Sequence, residues 1–144
     1  MKTTINETLE YILFLTRHIP KGNIRAAALA ILLDMDFPEY AEGFGYLRQA
    51  IVIRVGNEYL RFGAIYREIA EEQGPGTSEL QVEQDIRSLI SEAWKYRDVE
   101  KWLIVFPPDG RGKQERPSNG KAIARFARLL ELWRDCCKEV SYAG

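Results

Sequence analysis

Between Ala64 and Trp94 the chain reads AIYREIAEEQGPGTSELQVEQDIRSLISEAW, two amphipathic helical patterns on either side of Gly74-Pro75-Gly76. In the second, Val82, Ile86, Leu89, Ile90, Ala93 and Trp94 recur at i, i+4, i+7, i+8, i+11 and i+12 and so form one apolar stripe. Thr77 and Ser78 are cap residues at its start, and Ser78 with Gln81 has the capping-box spacing. The first pattern, Phe62, Ile65, Tyr66, Ile69 and Ala70, predicts a shorter helix that stops at Gly74-Pro75. Two helices joined by so short a turn have the layout of a helix-turn-helix, whose second helix presents its N-terminal side chains to base edges in a major groove. On this helix the exposed face carries Gln81, Gln84, Asp85 and Ser88, none of them basic.

The flanking segments keep the helical period. Thr4 with Glu7 forms a capping box opening an amphipathic helix over Ile5 to Ile19, with Ile5, Leu9, Ile12, Leu13 and Thr16 inward and Pro20 beyond its end. Asn23 caps a second helix running to Asp34; MDFPEYAEG is a loop broken by Pro38 and Gly43; a third helix spans Tyr46 to Arg54. After the central pair, Val99 to Phe106 is a short amphipathic segment stopped by Pro107-Pro108. A polar loop, DGRGKQERPSNG, leads to a last helix from Asn119 to Val140 with Ile123, Phe126, Ala127, Leu130, Trp133 and Cys137 on one face. VIRV, Val52 to Val55, alternates too briefly for a strand. The expected class is all-α, a compact domain of six to seven helices with a central helix-turn-helix. Residues 1–24 form an extra N-terminal helix and residues 25–144 the domain proper. Tyr40, Tyr46, Tyr59, Tyr66, Trp94, Trp102 and Trp133 are expected mostly in the core.

A chain of 144 residues buries a sizeable core without staples. The longest apolar run, Ala26 to Leu33, falls far short of the ~20 residues a membrane span requires. The start MKTTINETLEYILFL lacks a basic n-region and a small-residue cleavage site, so no secretory signal is expected. The adjacent Cys136 and Cys137 suit neither a disulfide nor a metal site and read as reduced thiols in a cytoplasm. Net charge is −1, which argues against a uniformly basic nucleic-acid binder. Its distribution matters more, since residues 67–100 hold nine acids against four bases while residues 109–128 hold six bases against two acids.

Enzyme chemistry finds no support. His18 stands alone beside Arg17 with no Cys, Ser or Asp arrangement near it, and Glu71-Glu72 and Glu79 to Asp85 have the pattern of solvated faces. No phosphate-binding loop, dinucleotide fingerprint or metal-ligand spacing occurs, so no cofactor, metal or small-molecule substrate is expected.

The segments GFGYLRQAI (Gly43 to Ile51), IYREIA (Ile65 to Ala70), VEQDIRSLISEAW (Val82 to Trp94) and RPSN (Arg116 to Asn119) resemble, in order and nearly in spacing, the C-terminal DNA-binding domain family of stage 0 sporulation protein A. The resemblance runs from about Ala28 to Asp135. It implies a six-helix fold around a helix-turn-helix that binds duplex DNA as a dimer in control of the onset of sporulation. In that family a receiver domain precedes this one; the residues before the match leave no room for it here, so regulation is expected through abundance, a partner or oligomerisation.

Carried over position by position, the resemblance assigns base reading to Gln81, Glu83, Gln84 and Ser88. The family has arginine, glutamate and arginine at the first three, and only Glu83 is retained; Ser88 stands where the family has histidine. Arginine pairs bidentately with guanine and glutamine with adenine, so a changed site preference follows. Ser78, Arg87, Arg116, Ser118, Asn119 and Lys121 are the expected DNA-backbone residues, the last four at a helix start whose free N–H groups suit a phosphate. Arg111 and Lys113 add charge nearby. Against this, Glu71 and Glu72 replace a family lysine pair and repel phosphate. Two expectations therefore stand: a sequence-specific DNA-binding transcriptional regulator, or a relative that has lost DNA binding and heterodimerises with a true regulator; the partners expected are duplex DNA and either a second copy of the chain or a related regulator.

Overall fold

The computed structural model describes residues 4–108 and 112–143, with side chains over 7–108 and 112–136. Seven helices follow in chain order: α1 Thr4–Leu15, α2 Ile24–Asp34, α3 Glu42–Arg54, α4 Phe62–Gln73, α5 Glu79–Lys95, α6 Val99–Val105 and α7 Asn119–Ala143. The described residues contain no strand. The expected all-α class is what the chain adopts. The Thr4 cap, Ile5 and Cys137 lie outside the described side chains, and Arg111 outside the described residues.

Local chemistry sets most boundaries. Asn23 caps α2 by accepting from the Ala26 amide at 3.1 Å, and Asp98 caps α6 by accepting from Glu100 and Lys101 amides. α4 ends at Gly74, whose φ of 102° and ψ of −176° lie where only glycine is unstrained. α1 closes earlier than its pattern predicts, at Leu15: the Thr16 amide and hydroxyl both donate to the Ile12 carbonyl, at 2.9 and 2.6 Å, and the next amide, of Arg17, turns to the Phe14 carbonyl instead of continuing the α-helical ladder.

α3 begins four residues before the predicted Tyr46, taking in both Gly43 and Gly45. Gly43 explains why. It is buried where α3 crosses α5, and a Cβ there would sit 2.1 Å from the Asp85 carbonyl oxygen. The missing side chain is what lets the two backbones touch. Gly45 meets no such neighbour.

α3 lies at the centre, packed on α2, α4, α5 and α7. α1 packs on α7, α6 and α2, where Thr8 donates to the Ile104 carbonyl at 2.8 Å and the Tyr11 hydroxyl donates to Asp34. Burial and those neighbours hold the Tyr11 phenol far above its usual titration range. Ile12 and Thr16 are buried as expected, but Leu13 is 37% exposed and Thr8 fills the inward position instead. The predicted stripe of α7, Ile123 through Trp133, is buried throughout. An aromatic cluster completes the core: Trp102 stacks on Phe37 at 5.5 Å and meets Trp94 edge-on at 5.9 Å. Phe37 and Met35 come from the segment read as a loop, yet both are buried. Conversely, Tyr40 and Tyr59 are 85% and 92% exposed, contrary to the expectation that they are core.

Candidate nucleic-acid interface

α4, the Gly74–Thr77 turn and α5 form the expected helix pair, with Val82, Ile86, Leu89, Ile90 and Ala93 buried and Trp94 half-buried. Ser78, not Thr77, is the cap, its hydroxyl accepting from the Gln81 amide at 3.1 Å. The reciprocal half of the capping box is not made, because the Gln81 side chain donates to Asp85 at 2.8 Å.

The predicted base readers divide into two groups. Gln84 and Ser88 are exposed and make no side-chain hydrogen bond to another described residue. Gln81 is exposed but spends its amide donor on Asp85, and Glu83 is half-buried and paired with Arg87 at 3.0 Å. Arg87, read as a backbone contact, is therefore already engaged. An exposed i,i+4 pair of this kind is worth about 0.3–0.5 kcal/mol, so a phosphate can compete for the guanidinium.

The acids crowding this helix are largely answered. Glu79 pairs with Arg67 at 2.6 Å across the turn, Glu83 with Arg87, and Asp85 accepts from Gln81. By contrast Glu71 and Glu72 stand exposed at the end of α4.

The C-terminal cap segment is brought against α5. Arg116 donates to the Ser91 hydroxyl at 2.8 Å, Pro117 is buried, and the Ser118 hydroxyl accepts from the Lys121 amide at 3.2 Å, capping α7. Asn119 does something sequence reading did not foresee. It is 9% exposed and donates to the Glu83 carbonyl at 2.9 Å, tying the start of α7 to the middle of α5. Close to it lies Tyr66 of α4, whose phenol burial pushes above its usual value against an opposing pull from Asn119. Asn119 is thus a strut between α7 and α5 rather than a group pointing at solvent. Gly120 completes the junction, since a Cβ there would lie 2.8 Å from the Phe62 ring.

The outcome is a groove of about 460 Å³ with Glu83 and Arg87 on one wall, Arg116, Ser118 and Asn119 on the other, and Phe62 and Tyr66 at its base. Ser78 and Lys121 are exposed at the starts of α5 and α7. The loop before the cap is fastened from behind: Arg97 stacks 3.5 Å over Trp94 and donates to Gln114 at 2.9 Å. Tyr66, Ser91 and Gly120 have no distinguishing pattern in the sequence; only the short G after RPSN hints at a close approach.

No group of His, Cys, Asp or Glu suited to a metal occurs among the described residues, and no helix there is long and apolar enough to cross a membrane. A tight helix pair, its second helix exposed along one edge and flanked by a basic capped helix start, defines a helix-turn-helix effector domain. Residues 28–130 match the family described as sporulation initiation factor Spo0A C terminal, and the chain belongs to it. That family is one of all-helical DNA-binding sporulation-regulator domains and not of enzymes.

Proposed function

We propose that this chain binds duplex DNA sequence-specifically, laying α5 in the major groove and the start of α7 on the adjacent backbone. Gln84 and Ser88 read base edges directly, while Gln81 and Glu83 read them by giving up their bonds to Asp85 and Arg87. Ser78, Arg87, Arg116, Ser118 and Lys121 hold phosphates, and Asn119 keeps the two helix starts in register. With glutamines where the family has arginines, the preferred site shifts from guanine toward adenine, each pair being worth about 1–3 kcal/mol of discrimination.

The observation that carries this reading is the pairing of charge. Two of the four carboxylates on α5, Glu79 and Glu83, are ion-paired within the chain, whereas Arg116, bonded to a neutral serine, brings an uncompensated cation to the same groove. A protein-docking role without DNA would draw on the exposed Glu71 and Glu72. Selection from random duplex DNA with the purified chain distinguishes the two. Enrichment of a motif that weakens in Gln84→Ala and Arg116→Ala supports the proposal. Absence of any enriched sequence at low and moderate salt defeats it.

A further inference from the structure

On the other side of Pro117 from the DNA-facing groove lies a separate cavity of about 220 Å³. Lys113, Lys121 and Arg125 line it, with Glu115 the one acid among the described residues there. Among the described residues, three cations against one carboxylate leave an excess of two positive charges along this cavity. Arg125 is the informative member. It is half-buried, and its Nε donates to the Val105 carbonyl at 2.6 Å. No carboxylate among the described residues pairs with it, and burial alone lowers its basicity. Desolvating a guanidinium without an anion is costly, so the site favours an anion that restores the balance.

The remaining walls say what that anion is attached to. Phe106, Pro107, Pro108 and Pro117 give the cavity rigid apolar sides. Rigid apolar walls with a few convergent charged groups are the make-up of a small-molecule site. A phosphate monoester carries about −1.5 to −2 charges at neutral pH, which matches the excess.

We infer that this cavity binds a phosphate monoester of a small aromatic or apolar body, with Arg125 and the two lysines on the phosphate and the Phe106–proline walls on the body. The inference does not depend on DNA binding. It also adds a small-molecule ligand where composition and motifs indicate none.

Phenyl phosphate is the probe, titrated into the isotope-labelled full chain and followed by amide shifts, with phenol and inorganic phosphate titrated separately. The expected result is saturable binding of phenyl phosphate, tighter than either fragment, with shifts centred on Phe106, Lys113 and Ala122. A Lys113→Ala/Lys121→Ala variant, altering two exposed side chains, should bind about tenfold or more weakly, the scale of a lost charge-assisted hydrogen bond. Its unchanged urea midpoint would show that the fold is intact. Absence of saturation, affinity undiminished in the lysine variant, or inorganic phosphate binding as tightly as phenyl phosphate would each overturn the inference.

Discussion

Replacing Gly43 with alanine pits two effects against each other. In a helix interior alanine is favoured over glycine by about 0.8–1.0 kcal/mol. At Gly43, however, the new Cβ would stand 2.1 Å from the Asp85 carbonyl oxygen, 2.7 Å from its carbon and 3.1 Å from Leu89 Cβ. The obstructing atoms are backbone of α5 and cannot rotate away. Relief requires α3 and α5 to separate by more than about 1 Å, since ordinary contacts begin near 3.4 Å, and this loosens the most extensively packed helix pair of the fold. Overpacking costs about 1–3 kcal/mol or more, which exceeds the propensity gain. Gly45 is the internal control: it lies in the same helix, a Cβ there meets nothing within 4 Å, and Gly45→Ala should stabilise by up to about 1 kcal/mol. Because the propensity gain is common to both, urea unfolding should show Gly43→Ala about 1–3 kcal/mol less stable than Gly45→Ala, with similar m-values. Equal midpoints would refute the claim that the α3–α5 crossing depends on the absence of a side chain.

Asn119→Ala removes the bond to the Glu83 carbonyl and should cost about 1–2 kcal/mol in urea unfolding. The folded-state phenols of Tyr11 and Tyr66 both lie above the ordinary value of 10.0. Their stabilisation is therefore complete below that value and declines as pH rises beyond it, because the unfolded chain loses those protons first. Urea midpoints should be level between about pH 8 and 9.5 with respect to these groups and drop toward pH 11, less steeply in Tyr11→Phe. Glu71→Lys/Glu72→Lys, restoring the family's charge at exposed positions, should strengthen duplex binding and steepen its salt dependence; unchanged affinity would place this end of α4 away from the DNA.

What the sequence reveals and conceals divides along physical lines. The α5 stripe, the α7 stripe and the Ser78 and Asn23 caps depend on residues within a turn or two of each other, and all are legible in the chain. Gly43 is read as a helix breaker because its local propensity is poor; its reason for being helical lies across the crossing, in the Asp85 carbonyl. Phe37 does lie in the loop that its neighbours indicate, but its burial is concealed, because it stacks on Trp102 from a segment 65 positions away. Tyr40 and Tyr59 look like core because aromatics usually are, but neither lies on a helix that turns it inward. At the candidate site, sequence and family resemblance point to most of the residues that flank the groove between α5 and the start of α7. Only the folded chain reveals that Asn119 is buried, that Glu83 and Arg87 are paired, and that Arg116 reaches Ser91.

The central proposal is that α5 and the capped start of α7 together engage duplex DNA. Fluorescence anisotropy of a random-sequence duplex, titrated with protein across a range of salt, tests it most directly. With Arg87, Arg116 and Lys121 each neutralising a phosphate, log affinity should fall against log salt with a slope of about −2.7, and Arg116→Ala should make it shallower by about one unit. Binding that is absent, insensitive to salt, or unchanged in slope without Arg116 would contradict the account.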